Sequence, residues 1–130
     1  MLLVCRFTVA EGDVPTFTAR VNHALELLTR QPGCVRGVLG RSTDERRRWV
    51  LTVEFASVVA YRRALSPVDV RSAVIPLLNA AEAEPGGYEI LAEAVDGTVR
   101  SLASLVAGDP DAATRPADAS GTRPARGEIR

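Results

Sequence analysis

The chain has 130 residues, enough for one domain with a short appendage, and 46% of them are hydrophobic, as expected of a protein with a packed core. Its sixteen basic and sixteen acidic residues cancel, which excludes a general attraction of the whole molecule to nucleic acid or to an anionic membrane. All the basic residues are arginine, so the chemistry of a lysine amine, such as Schiff-base formation, is excluded as well.

The sequence pattern of the first third of the chain predicts a strand followed by a helix. An apolar run over residues 2–9, interrupted by Arg6, is typical of a strand that is buried on both sides. Pro15 suits the first turn of a helix, and Pro32-Gly33 suits its end. Between them, apolar residues fall on one helical stripe: Phe17, Val21, Ala24, Leu25 and Leu28.

The middle of the chain predicts a hairpin that leads into a short helix. Residues 34–41 and 48–55 fit two strands joined by a polar link, and large apolar residues alternate along the second strand. After Phe55 the period changes from two to about 3.6, which indicates a helix. Ser57 suits the N-cap of this helix, which carries Tyr61 and Leu65 on one side.

The last part of the chain predicts three more elements before its composition changes. Residues 68–78 fit a helix bent at Pro76, residues 88–95 fit a strand, and residues 98–107 place apolar side chains on one side of an additional helix. From Gly108 onward there is no aromatic residue and one large aliphatic residue, so this segment is expected to be disordered.

This order of elements predicts an α+β fold of the ferredoxin-like βαββαβ type, with an antiparallel sheet and helices on one face. The other face of the sheet would lie open, and a monomer rarely exposes so large an apolar surface. We therefore expect a homodimer in which two sheets pack face to face. The domain would span residues 1–95, with a C-terminal helix within residues 96–107 and a disordered tail over residues 108–130.

Few side chains are suited to catalysis. His23, the single histidine, points away from the apolar stripe of its helix, so we expect it on the surface. Cys5 and Cys34 are expected to be buried reduced thiols, and with one histidine they are too few for a zinc or iron site. Tyr61 fits two interpretations equally well: it packs the helix on the sheet, or its phenol donates a hydrogen bond to an oxygenated aromatic ligand.

Arg6 lies in the middle of the first strand. If the first and third strands are parallel neighbours, Arg6 pairs with Glu54 inside the dimer interface, an interpretation that we weigh above substrate binding. The apolar run at the N-terminus is too short for a signal peptide or a membrane span, so the expected location is cytoplasmic.

Three stretches within residues 2–95 resemble the antibiotic biosynthesis monooxygenase (ABM) family of dimeric α/β-barrel proteins. They are Leu3–Val9, Gln31–Cys34 and Trp49–Phe55, the last followed by Ser57 and by Ala60-Tyr61-Arg62. The resemblance implies the fold and the dimer that the pattern of elements predicts. It also implies oxygenase chemistry, which members of the family perform in two ways.

Cofactor-free members of the family oxidise polyketide phenols to quinones with an asparagine, a tryptophan, a tyrosine and an arginine. The resemblance places these four residues at Leu51, Phe55, Tyr61 and approximately Pro76, so that only the tyrosine is kept. Haem-degrading members use an asparagine, a tryptophan and a histidine. At the matching positions this chain has Cys5, Ala64 and Ala73, and none of the three residues is kept.

Two functions are therefore expected. The first is a monooxygenase that needs no cofactor, acts on a small phenolic or polyketide-like metabolite and uses Tyr61 as its catalytic residue. Its substrate would lie in an apolar pocket lined by Cys5, Phe7, Leu51, Phe55 and Leu65. Arg62 or Arg71 would stabilise an anionic substrate. The alternative is a non-catalytic dimer of the same fold that binds a small apolar or aromatic ligand or serves as an accessory protein, with no nucleic-acid or membrane partner in either case.

Overall fold

Four antiparallel strands form the central sheet of the computed structural model, which describes residues 1–105. The elements are β1 (Leu2–Thr8), α1 (Val14–Thr29), β2 (Cys34–Arg41), β3 (Arg48–Phe55), α2 (Val58–Ala64), α3 (Val68–Ala80), β4 (Gly87–Tyr88), β5 (Ala92–Val95) and β6 (Thr98–Ser101). The order of strands in the sheet is β2-β3-β1-β4, and every neighbouring pair is antiparallel. The predicted α+β, ferredoxin-like arrangement of an antiparallel sheet with helices is confirmed, and the sheet of the single chain is open rather than closed into a barrel.

The core lies between the three helices and one face of the sheet. Alternate residues of β1 and β3, beginning with Leu3 and ending with Phe55, pack against the apolar stripe of α1 and against α2 and α3. Four residues of the predicted α1 stripe are buried, and Leu25 is partly buried. Burial of this apolar surface is the main term that stabilises the fold.

The opposite face of the sheet, here called the open face, carries no helix. It contains Leu2, Val4, Arg6 and Thr8 of β1, Arg36, Val38 and Gly40 of β2, and Val50, Thr52 and Glu54 of β3, which are paired across the ladders. The apolar members of this set do not pack on the core, and Val38 is 41% exposed. A sheet of this kind is stable in water when its second face is polar or covered.

Two predicted boundaries hold because particular residues fix them. Ser57 accepts a hydrogen bond from the backbone N–H of Ala60 at 3.0 Å, as expected of the N-cap of α2. Gly33, after the end of α1, has φ +85°, and a Cβ there would lie 2.6 Å from the Cβ of Ala60. A glycine is therefore required both by the backbone conformation and by the close approach of α2.

The predicted C-terminal helix over residues 98–107 is wrong for the described residues. Residues Ala92–Val95 and Thr98–Ser101 form a two-stranded hairpin, in which Val95 pairs with Thr98. The turn is Asp96-Gly97, and both residues have positive φ, 51° and 80°. An Asp-Gly pair with this geometry is a strong signal for a tight hairpin turn, and it overrides the helical spacing of the apolar residues.

The predicted fourth strand over residues 88–95 is also wrong in its extent. β4 covers two residues and pairs with the start of β1, whereas β5 belongs to the separate hairpin. α3 continues through Pro76 to Ala80, two residues beyond the predicted end. The tail predicted over residues 108–130 lies outside the described residues. No helix within residues 1–105 is both long enough and apolar enough to cross a membrane.

Candidate functional site

The ring of Tyr61 lies between α2 and the sheet, where it contacts Phe55. Their ring centroids are 5.2 Å apart and the rings are inclined by 63°, an edge-to-face arrangement. The N-cap at Ser57 and the first turn of α2 set this position, because the backbone N–H of Tyr61 donates to the carbonyl of Ser57. The Tyr61 hydroxyl makes no hydrogen bond to any other residue in the range 1–105.

Burial raises the pKa of the Tyr61 phenol above its ordinary value, and the nearby Cys5 thiol adds to the effect. Burial also raises the pKa of Cys5. Near neutral pH both groups are therefore protonated. A neutral phenol can donate a hydrogen bond, whereas it is a poor base.

The residues predicted to line a pocket lie in the core beneath the helices, but they do not meet at one place, since Phe7 lies opposite Trp49, at the other end of the β1–β3 ladder from Phe55. Cys5, Phe7, Leu51 and Phe55 are each at most 6% exposed and belong to the core, and Leu65 is partly buried against it. Phe55 contacts the Tyr61 ring, and Cys5 lies near the Tyr61 phenol. Their role as a substrate pocket stays a prediction.

The two arginines predicted to stabilise an anion are exposed. Arg62 lies in the last turn of α2, and the Arg71 guanidinium donates to the backbone carbonyl of Ser66. Neither residue has a described contact with Tyr61.

An open cleft of about 680 Å³ lies beside Phe55, and Tyr61 is not among its lining residues. It is bounded by the junction of β3 and α2, by Met1 and by the segment around the β5–β6 hairpin. Its lining residues are Met1, Glu54, Phe55, Ala56, Ser57, Val58, Val59, Glu89, Ile90, Glu93, Arg100, Leu102, Ala103 and Leu105. Cavities of this size hold small organic molecules in many proteins.

Three carboxylates, one guanidinium and the N-terminal ammonium of Met1 line this cleft, and they differ in their partners. The Met1 ammonium donates a hydrogen bond to the carbonyl of Phe55 at 2.8 Å. Glu93 forms an ion pair with Arg100. Glu89 accepts hydrogen bonds from the Ser104 hydroxyl at 2.6 Å and from the backbone N–H of Leu105 at 2.8 Å. Glu54, which is partly buried, forms no ion pair or side-chain hydrogen bond within the described residues. Of the three carboxylates, that of Glu54 is therefore the one without a partner in the described part of the chain.

The predicted pairing of Arg6 with Glu54 is wrong. β1 and β3 are antiparallel, so Arg6 lies opposite Val50, and Glu54 lies opposite Leu2 at the other end of the ladder. The Arg6 guanidinium instead donates to Glu84 at 2.7 Å on the protein surface. Because the predicted ion pair would occupy Glu54, the sequence did not indicate the cleft.

Of the other groups singled out in the sequence, Cys5 lies near Tyr61, whereas neither His23 nor Cys34 lines the cleft. His23 is exposed on α1, as predicted. Cys5 and Cys34 are free cysteines, the first buried and the second partly buried. Within residues 1–105 no group of three or more His, Cys, Asp or Glu side chains is placed to hold a metal ion.

Comparison with known proteins identifies the family. Residues 1–74, more than half of the chain, match the family described as antibiotic biosynthesis monooxygenase. The chain therefore belongs to the antibiotic biosynthesis monooxygenase family, as the resemblance indicated. A search of curated proteins gave no significant match.

Solved structures support the same assignment. The chain is similar to SnoaB, a cofactor-independent oxygenase from Streptomyces nogalater, with 30% identity and a TM-score of 0.53 over 62% of this chain and 80% of that one. A point mutant of SnoaB matches with 28% identity and a TM-score of 0.53 over 62% and 81% of the two chains. A conserved protein from Methanosarcina mazei, with 13% identity, a TM-score of 0.54 and coverage of 66% and 84%, shares the fold.

Proposed function

We propose that this protein is a monooxygenase that works without a cofactor on a small phenolic or polyketide-like metabolite. The observation that supports the proposal most strongly is the similarity to SnoaB, a cofactor-independent oxygenase, at 28–30% identity. The second support is Tyr61, which the resemblance to the family makes a catalytic position and whose hydroxyl has no partner within residues 1–105.

In this chemistry the substrate supplies the electrons and dioxygen is the oxidant. For an anthrone, a methylene carbon becomes a carbonyl, one oxygen atom enters the product and the other leaves as water. The protein binds the substrate and orients the oxygen atom on which negative charge develops. Donors placed at such an oxygen can lower the barrier substantially.

Tyr61 is the proposed donor. Because its pKa is raised, the phenol keeps its proton and donates it in a hydrogen bond to the substrate oxygen. A ring bound there would contact Phe55, whose ring meets that of Tyr61. In this proposal Arg62 or Arg71 supplies positive charge to the substrate anion.

The proposed active form is a homodimer in the cytoplasm. The open face supports the dimer, since its apolar residues Leu2, Val4, Val38 and Val50 lie outside the core and no helix of residues 1–105 covers them. Two such faces packed together would remove this surface from water.

A non-catalytic dimer that binds a small ligand or serves as an accessory protein is the second candidate. It is favoured by Leu51 and Phe55, the positions at which the resemblance implies an asparagine and a tryptophan. Both side chains are apolar and at most 2% exposed, so they fill the core rather than offer groups to a substrate.

Aerobic incubation of the purified protein with an anthrone separates the two candidates. The monooxygenase should produce quinone absorbance faster than buffer alone and consume one dioxygen for each product. Quinone formation at the rate of the buffer blank, across anthrone- and naphthol-type substrates, would contradict the monooxygenase and leave the non-catalytic dimer.

A further inference from the structure

We infer that the β5–β6 hairpin pairs with the free edge of β2 in a second copy of the chain. The inference rests on the homodimer of the proposed function, and it adds a second contact to the packing of the two open faces. Each subunit would give one hairpin and receive one, as a two-fold axis requires. The receiving segment is the start of β2, residues 34–37, in both copies.

The hairpin has little support from its own chain. Of residues 92–101 only Glu93 is partly buried, and the other nine are exposed. The two strands contact each other, and no helix or other strand of residues 1–105 packs extensively on them. A two-stranded hairpin by itself is marginally stable in water. The hairpin therefore needs a further surface to pack on.

One face of the hairpin is apolar and points away from its own subunit. Glu93 and Arg100 form an ion pair and line the cleft beside Phe55, so their face is turned toward the subunit. Successive side chains of a strand point to opposite faces, so the remaining face is turned outward. The residues on the outward face are Ala92, Ala94, Val99 and Ser101. Val99 is 68% exposed, so this face is uncovered in the single chain.

β2 is an edge strand that can accept another strand. Its outer side has no strand partner among residues 1–105, and its eight residues include no proline. Val35 is exposed at the start of β2, where the register with β3 shifts. The edge of a sheet presents unpaired N–H and C=O groups, which a strand from another chain can satisfy. The hairpin and β2 thus each lack what the other supplies.

The positions of the hairpin and of β2 fit one two-fold arrangement. The chain leaves the β4 edge of the sheet at the end where Tyr88 lies opposite Leu2. β2 begins at the same end, because the last residues of β3 lie opposite both Leu2 and Cys34. A two-fold axis parallel to the strands brings the β4 edge of one sheet beside the β2 edge of the other, at this end.

The alternatives leave the hairpin uncovered. Within one chain β1 and β3 lie between β4 and β2, so the hairpin cannot pair with its own β2. A two-fold axis perpendicular to the strands would place β2 against β2 and leave both hairpins exposed to water. Pairing of each hairpin with the partner's β2 satisfies both edges at once.

Cross-linking of two single-cysteine variants tests the inference. Val35→Cys and Val99→Cys are each made in the full chain with Cys34→Ser, while the buried Cys5 is kept. The two proteins are mixed, allowed to exchange subunits and treated with a short bismaleimide. Random exchange places the two different chains together in about half of the dimers, so the cross-linked fraction on a denaturing gel should approach that value. Each variant alone should give only the background level.

The matched control moves one cysteine to the helix side of the protein. Val68, at the start of α3, is 68% exposed, as Val99 is. A mixture of Val68→Cys and Val99→Cys should therefore give only background cross-linking. Circular dichroism of each variant verifies that it is folded.

The dimer dissociation constant gives a second measurement. Val99→Asp should raise it at least about tenfold in sedimentation equilibrium, because a carboxylate without a partner enters each contact. Val68→Asp, which adds the same charge on the helix side, should leave it unchanged. An equal dissociation constant for wild type and Val99→Asp would overturn the inference.

The outcomes separate this inference from the proposed function. Background cross-linking in the mixture of Val35→Cys and Val99→Cys would overturn the inference, and so would cross-linking of Val35→Cys alone, which indicates β2 against β2. Quinone formation by a dimer without the cross-link would support the proposed function while the inference fails. Cross-linking without quinone formation would support the inference while the oxygenase activity fails. A monomeric wild type would overturn both the hairpin contact and the dimer.

Discussion

The Phe55 ring meets the Tyr61 ring edge to face, with the two centroids 5.2 Å apart, and Phe55 also lines the open cleft. One residue of β3 thus contacts both a half-buried phenol and the cleft. This arrangement links the stability of the core to the position of the Tyr61 phenol.

Replacing Phe55 by alanine should destabilise the protein strongly. The side chain is 1% exposed, so its removal leaves a cavity in the core as well as losing apolar burial. We expect a loss of about 3–5 kcal/mol in the free energy of unfolding, measured by urea denaturation. Val35→Ala on the edge strand, where valine is 57% exposed, should change it by less than about 0.5 kcal/mol. A comparable loss in the two variants would contradict the placement of Phe55.

Gly33→Ala should destabilise the junction between α1 and β2. The alanine would have to adopt φ +85° and would meet the Ala60 Cβ at 2.6 Å, so we expect a loss of at least about 1–2 kcal/mol. Gly12→Ala is the control, since a Cβ there meets nothing within 4 Å and the backbone has no positive φ. Denaturation curves that are the same for the two variants would show that Gly33 is not constrained.

Much of the fold could be predicted because apolar residues recur at clear intervals along its strands and helices. β1, α1, β2 and β3 follow from alternating or helical patterns, and Ser57 marks the start of α2 by its hydrogen-bonding chemistry. The spacing of apolar residues could not assign the secondary structure after Tyr88, because short apolar runs fit one long strand as well as two short ones. The Asp96-Gly97 turn signal would have identified the hairpin.

The site was harder to predict than the fold. The alternating pattern identified the face of the sheet that holds Cys5, Leu51 and Phe55, but only the structure shows that these side chains are buried in the core. The cleft brings Glu54 together with residues between Glu89 and Leu105, which are distant in the sequence. The local sequence pattern does not reveal such a long-range contact. The direction of pairing between β1 and β3 then decided that Glu54 stays free of Arg6.

Spectrophotometric titration should detect the raised pKa of Tyr61. Burial favours the neutral phenol in the folded state, so Tyr61 should ionise above its usual value of about 10. Tyr61 contributes its full stabilisation below the pKa that it has in the unfolded chain. This stabilisation is lost as the pH rises through the higher pKa that Tyr61 has in the folded protein. The absorbance component that Tyr61→Phe removes should therefore lie above pH 10. A removed component at or below pH 10 would contradict the burial of Tyr61.

Thr52→Arg should convert the proposed dimer to monomers. Thr52 lies in the centre of the open face, between Val4 and Val38, so an arginine there would be buried without a partner when two faces pack. Breaking a buried charge pair costs about 3–5 kcal/mol, and an unpaired charge in the interface should weaken the dimer to a similar extent. Sedimentation velocity at micromolar concentration measures the result. Thr43→Arg in the exposed β2–β3 link should remain dimeric, and a wild type that is monomeric would disprove the interface.

The chain has two tyrosines, and comparison of their phenylalanine variants tests the central claim most directly. In the aerobic anthrone assay, Tyr61→Phe should lower kcat about 100-fold, as expected when one donor to a developing oxyanion is lost. Tyr88→Phe should keep the wild-type kcat, since the Tyr88 hydroxyl donates to the backbone carbonyl of Pro85 away from Tyr61. Equal quinone formation by wild type and a folded Tyr61→Phe would contradict the account.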